Sequence, residues 1–90
     1  MLILKQETVM KNVVITGANR GIGLALAQQF KKLGYRVFAV CRQSSDELEN
    51  LGVSVVDNID VTKSLDLLKM QSALANVEID ILINNAGILR

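Results

Sequence analysis

Residues 13–23 read Val-Val-Ile-Thr-Gly-Ala-Asn-Arg-Gly-Ile-Gly. Glycines stand at 17, 21 and 23, between a β-branched apolar run and an amphipathic helical pattern that begins without a spacer. A strand, a tight turn and a helix in that succession present unpaired backbone N–H groups and the positive end of a helix dipole to an anion, most often a phosphate. In such a turn Gly17 permits the sharp exit from the strand. Gly21 removes a side chain where a pyrophosphate would approach, and Gly23 lets the helix pack closely on the sheet.

The spacing narrows the chemistry. A nucleotide-hydrolase loop ends in Gly-Lys-Ser/Thr, whereas here Gly21 is followed by Ile22. The pattern Gly17-x-x-x-Gly21-x-Gly23 also differs from the common Gly-x-Gly-x-x-Gly dinucleotide loop. One cysteine and no histidine leave neither a disulfide framework nor a zinc site, and Cys41, without an activating histidine, reads as a small buried hydrophobe.

The elements that must position this turn follow from periodicity. Val13 to Thr16 is a continuous apolar run, as in a parallel strand buried on both faces. Apolar residues at Ile22, Ala25, Leu26, Phe30 and Leu33 predict a helix of about three turns closed by Gly34. Tyr35 to Val40 is a second strand, with Tyr35 a packing residue. Ser44 and Ser45 ahead of Asp46, Glu47 and Glu49 mark a helix start, and that helix ends at Gly52. Val53 to Val56 is a third strand broken by Asp57 and Asn58. Thr62 is expected to cap a third helix reaching about Ala75, whose Leu65, Leu67, Leu68, Met70 and Leu74 read as core. Ile79 to Ile83 is a fourth strand. Asp57 and Asp80 read as solvated strand-end residues.

Strand and helix alternating over short connections is the grammar of a doubly wound α/β sheet. With 90 residues, half of them hydrophobic, the chain has apolar material enough for a core of domain or part-domain size. Residues 1–10 read as an N-terminal extension and 11–90 as the N-terminal part of a nucleotide-binding domain. Ten scattered basic residues against nine acidic ones make no field for a nucleic acid. The opening apolar run of four residues is too short for a signal core or a membrane span. A cytoplasmic protein is expected.

Thr16-Gly17-Ala18-Asn19-Arg20-Gly21-Ile22-Gly23, Asp60-Val61-Thr62 after the third strand, and Asn84-Asn85-Ala86-Gly87 after the fourth resemble the cofactor half of the short-chain dehydrogenase/reductase family, in family order. The resemblance covers Lys11 to Arg90. It implies a Rossmann-type parallel sheet of strand order 3-2-1-4 with three helices, binding NAD(H) or NADP(H). It implies that residues Gly17, Asn19, Arg20, Gly21, Ile22 and Gly23 hold the pyrophosphate and adenosine ribose. Asp60 and Val61 would contact the adenine, Asn85, Ala86 and Gly87 would line the adenosine side of the cleft, and Asn84 would tie strands together.

Charge then selects the cofactor. An NAD site commonly carries an acid at the end of the second strand for the ribose 2′-hydroxyl, and a 2′-phosphate needs a cation. Here that strand ends Val40-Cys41-Arg42, with no acid before Asp46. Arg42 can fork onto a phosphate and Arg20 can reach the same place from the glycine turn, so NADP(H) is favoured over NAD(H). A non-catalytic dinucleotide-binding or sensing module is the alternative function. A methyltransferase would want an acid where Arg42 stands.

In a 3-2-1-4 order the first two helices lie on one face and the third on the other. The fourth strand is then an open edge, and self-association or a missing C-terminal half is expected to cover Ile79, Ile81, Leu82 and Ile83. Hydride transfer in the resembled family is assisted by Tyr-x-x-x-Lys, yet the one tyrosine, Tyr35, has Ala39 four residues on. No catalytic residue is assigned. The 90-residue chain is therefore expected to show no turnover, and NADPH oxidation above background with any member of a carbonyl panel would contradict this.

Overall fold

The computed structural model describes residues 10–86. The proposed extension, apart from Met10, and the candidate Gly87 lie outside the described residues. In chain order the elements are β1 (Asn12–Thr16), α1 (Gly21–Lys32), β2 (Arg36–Val40), α2 (Asp46–Asn50), β3 (Ser54–Val56), α3 (Ser64–Ala73) and β4 (Ile81–Asn84). The strands form one parallel sheet in the order β3-β2-β1-β4.

β1 is central. Val13, Val14 and Ile15 are fully buried, as a run apolar on both faces requires. Successive side chains of a strand point to opposite faces, so β1 feeds two cores. Val13 and Ile15 join Leu24 and Ala27 of α1, Val37 and Ala39 of β2, and Leu48 of α2. Val14 joins Phe38, Val40, Ile59 and Leu74, with Met70 of α3 packed against them. The first two helices thus share one face and α3 takes the other.

Several boundaries and faces depart from the sequence expectation. α1 has the expected period but a different phase. Gly23, Leu24 and Ala27 face the sheet, Leu26 and Phe30 are half-buried, and Ile22, Ala25 and Leu33 are exposed. Backbone proximity explains this: a Cβ on Gly23 would overlap the Gly17 carbonyl and sit 2.8 Å from the Asn85 amide nitrogen. Only the smallest residue fits there, so it turns inward and Ile22 turns outward.

α3 begins at Ser64 with Lys63 at its N-cap, not Thr62. The Thr62 hydroxyl instead donates to Asp60 Oδ1 at 2.6 Å, an Asx-type turn that competes with a capping role. The apolar face of α3 is only partly core. Leu74 is buried and Met70 half-buried, whereas Leu65, Leu67 and Leu68 are exposed. Asp80 is more than a solvated strand end: its Oδ2 accepts the Asn12 N–H at 2.8 Å and its own N–H donates to the Asn12 carbonyl, which starts the β1–β4 pairing. Tyr35 packs edge-on against Phe30, with ring centroids 4.9 Å apart. At the other sheet edge, Leu82 and Ile79 of the β4 region are exposed.

The Gly23 contact yields a test. In an ordinary helix alanine is more stable than glycine by about 1 kcal/mol. Here Gly23→Ala should lower stability by about 1–3 kcal/mol, as overpacking does. Thermal or urea unfolding checks the sign, and a neutral or stabilised variant contradicts the close approach.

Candidate functional site

The loops that follow β1, β2 and β4 meet at the carboxyl end of the sheet. The chain runs from β1 outward to β3 and then returns to the other side of β1 for β4, so the crevice beside β1 is a topological switch point, the usual ligand position in an open α/β sheet. An open cleft of about 1060 Å³ lies there.

Each wall traces back to a local cause. Gly17 leaves β1 with φ of +66°, a left-handed conformation that glycine adopts without strain, and the Ala18 N–H then reaches the Val40 carbonyl of β2 at 3.3 Å. Gly21 has φ of +59°, and a Cβ placed on it would meet nothing within 4 Å, so the backbone there faces open space. Thr16 and the β4 end hold the turn from below. The Thr16 hydroxyl donates to Asn84 Oδ1 at 2.9 Å and accepts the Ala86 N–H at 3.1 Å, while Asn85 Nδ2 donates to the Gly17 carbonyl at 3.1 Å.

Electrostatically the two helix starts on this face are opposites. α2 is capped by Ser45, whose hydroxyl accepts the Leu48 N–H at 3.2 Å, and its first turn carries Asp46, Glu47 and Glu49. α1 has Arg20 at its N-cap, no side-chain capping bond and no acid in its first turn. The N-terminal N–H groups and dipole of α1 are left for an anion from outside the chain.

Of the expected site residues, Gly17, Asn19, Arg20, Gly21, Ile22, Arg42, Asn85 and Ala86 line this one cleft. Gly23 lies beneath it, buried against the Gly17 carbonyl. Asp60 and Val61 are not among the lining residues. Val61 is half-buried against the α3-side core, and Asp60 touches the rim through Arg42, with Oδ2 4.0 Å from Nε. Hydrogen bonds from the Thr62 hydroxyl and N–H, helped by Arg42 and Lys63, hold the Asp60 carboxyl below the usual carboxylate range. That stabilisation is complete above the ordinary aspartate pKa of about 3.9 and is lost as pH falls through the lowered value.

Three lining residues were not singled out as site residues from sequence: Cys41, Gln43 and Ser44. Gln43 and Ser44 follow Arg42 directly, so the signal was adjacency to the end of β2. Cys41 is 2% exposed, and burial pushes its thiol pKa up, which keeps it protonated and unreactive. Among the described residues no group of three or more His, Cys, Asp and Glu could hold a metal ion, and no helix is long and apolar enough to cross a membrane. Glycine turn, uncapped helix start, two arginines and an open cleft fit an extended phosphate-bearing ligand.

Comparison with known proteins identifies the family. The family model for short chain dehydrogenase matches residues 11–90. Mouse retinol dehydrogenase 14 is 37% identical over 99 residues, an alignment covering 87% of this chain and 30% of that protein. The Pseudomonas aeruginosa RhlG/NADP active-site complex superposes with a TM-score of 0.76 at 29% identity, over 86% of this chain and 34% of that one. A 4-hydroxyisoleucine dehydrogenase complexed with NADH gives a TM-score of 0.73 at 32% identity, over 87% and 34%. The chain thus spans about a third of the length of the relatives it matches. On sequence and fold, this chain belongs to the short-chain dehydrogenase family.

Proposed function

We propose that the chain is the NADP(H)-holding part of a carbonyl or alcohol oxidoreductase. One observation carries the reading: Arg20 and Arg42, from two different loops, line the same cleft at the uncapped start of α1, and the residues between them hold no acid. An acid there would favour a ribose 2′-hydroxyl, and two cations favour a 2′-phosphate.

Within this reading the N–H groups opening α1 bind the pyrophosphate, and Gly21 gives it room. Asp60 approaches Arg42 at Nε, which leaves the terminal guanidinium nitrogens for a bidentate hold on the 2′-phosphate. Asn85 and Ala86 close the adenosine side of the cleft. Asp60 and Val61, set back from the cleft, reach the adenine at its edge. A bound nicotinamide cofactor would supply or accept a hydride, and the groups that assist this transfer belong to the whole protein. The NADH complex among the structural neighbours makes cofactor choice the point to test.

Calorimetric titration decides it. NADPH is expected to bind more tightly than NADH, and Arg42→Ala to weaken NADPH by roughly 10- to 100-fold, as loss of charged hydrogen bonds does, with little change for NADH. Equal affinities for the two cofactors contradict the proposal.

We place the protein in the cytoplasm, on its cysteine usage, and propose that the β4 edge is covered by a second copy or by further chain. Ile79 and Leu82 are exposed beside an unpaired strand edge, the arrangement that invites pairing. Light scattering of the 90-residue chain should show a dimer or larger species, and a stable monomer at high concentration contradicts self-association.

A further inference from the structure

Ser45 was legible from sequence only as part of a helix start, and its cap bond to Leu48 accounts for one lone pair of its hydroxyl. The hydroxyl proton goes elsewhere. Ser45 Oγ donates to the backbone carbonyl of Asn19 at 2.6 Å, across 26 positions of chain. Among the described residues this is the one hydrogen bond joining residues 19–23, which carry Arg20, to residues 41–45, which carry Arg42. Ser45 is half-buried and in extended conformation, with φ of −125°, so both bonds are made without backbone strain.

We infer that Ser45 is a positioning residue for cofactor selectivity: its hydroxyl latches the glycine turn to the loop after β2 and so fixes how Arg20 and Arg42 converge on a 2′-phosphate. The inference rests on the reading of this cleft as an NADP(H) site. Arg42 is 81% exposed at its side chain and Arg20 is also exposed, so neither guanidinium is held by packing. Their relative placement depends on the loops that bear them. Asn19 is the residue before Arg20, so a latch on its carbonyl acts on the peptide from which the Arg20 side chain projects. A 2′-phosphate contacted by both cations feels a change in that separation, whereas a ribose 2′-hydroxyl does not.

The cap and the latch can be separated by substitution. Glycine is nearly as good an N-cap as serine, but it has no hydroxyl to donate. Threonine keeps both functions. Unfolding curves and calorimetric titrations with NADPH and with NADH are run on the unsubstituted chain, Ser45→Gly and Ser45→Thr. Ser45→Gly should lower the unfolding midpoint by a few degrees, the loss of the latch bond, and keep its NADH affinity while NADPH affinity falls about 3- to 10-fold, and Ser45→Thr should restore both. An NADPH-to-NADH preference unchanged in Ser45→Gly overturns the latch. An equal loss for both cofactors also overturns it, and leaves Ser45 a helix cap. If the unsubstituted chain shows no NADPH preference, or binds neither cofactor, the NADP(H) reading itself fails and the latch with it.

Discussion

The site depends on how closely α1 lies against the turn that leaves β1. There is no space for a Cβ at Gly23, because the Gly17 carbonyl and the Asn85 amide occupy it. A helix that sits this deep starts beside the carboxyl end of β1, and its first residues, Gly21 and Ile22, line the cleft. Gly23 thus serves position, while Ala27 is part of the core.

A second set of constraints keeps the cleft from spreading. Thr16, the last residue of β1, bonds through one hydroxyl to Asn84 and to the Ala86 N–H, so β1 and the β4 exit move together. Asn85 returns to the Gly17 carbonyl. On the opposite side the β3 exit is laced to the β2 exit, with Asn58 N–H donating to the Arg42 carbonyl and Ile59 N–H to the Cys41 carbonyl. Asp66 of α3 accepts the Asp60 N–H at 2.9 Å and so anchors the carboxylate that faces Arg42. The rim is exposed and polar, yet its backbone is bonded to both flanking strands.

How much of this was legible in the sequence follows from the range of the forces involved. The glycine turn and the central strand were legible because each rests on local chemistry, φ freedom at Gly17 and Gly21 and an apolar run at 13–15, whereas the strand order came with the family resemblance. The phase of α1 was not, since size decided it where hydrophobicity pointed elsewhere, and Ile22 was exposed so that Gly23 could turn inward. The start of α3 was missed because Thr62 bonds to Asp60, two residues back, in place of the helix N–H groups ahead of it. The second bonds of Ser45 and Asp80 span 26 and 68 positions, and no local pattern encodes such partners. Arg20 and Arg42 were placed on one cleft by topology alone, because adjacent parallel strands bring their exit loops together.

In the proposed function a dinucleotide lies across the β1, β2 and β4 exits with its phosphates at the start of α1. Amide-resolved NMR during NADPH addition tests it most directly. The largest shift changes are expected on the backbone N–H groups of Gly17 to Gly23 and Cys41 to Ser44, with Lys31, Gly52 and Ser54 at the far end of the sheet unmoved. Changes concentrated at that far end, or spread evenly over the chain with none at Gly21 and Ile22, would contradict it.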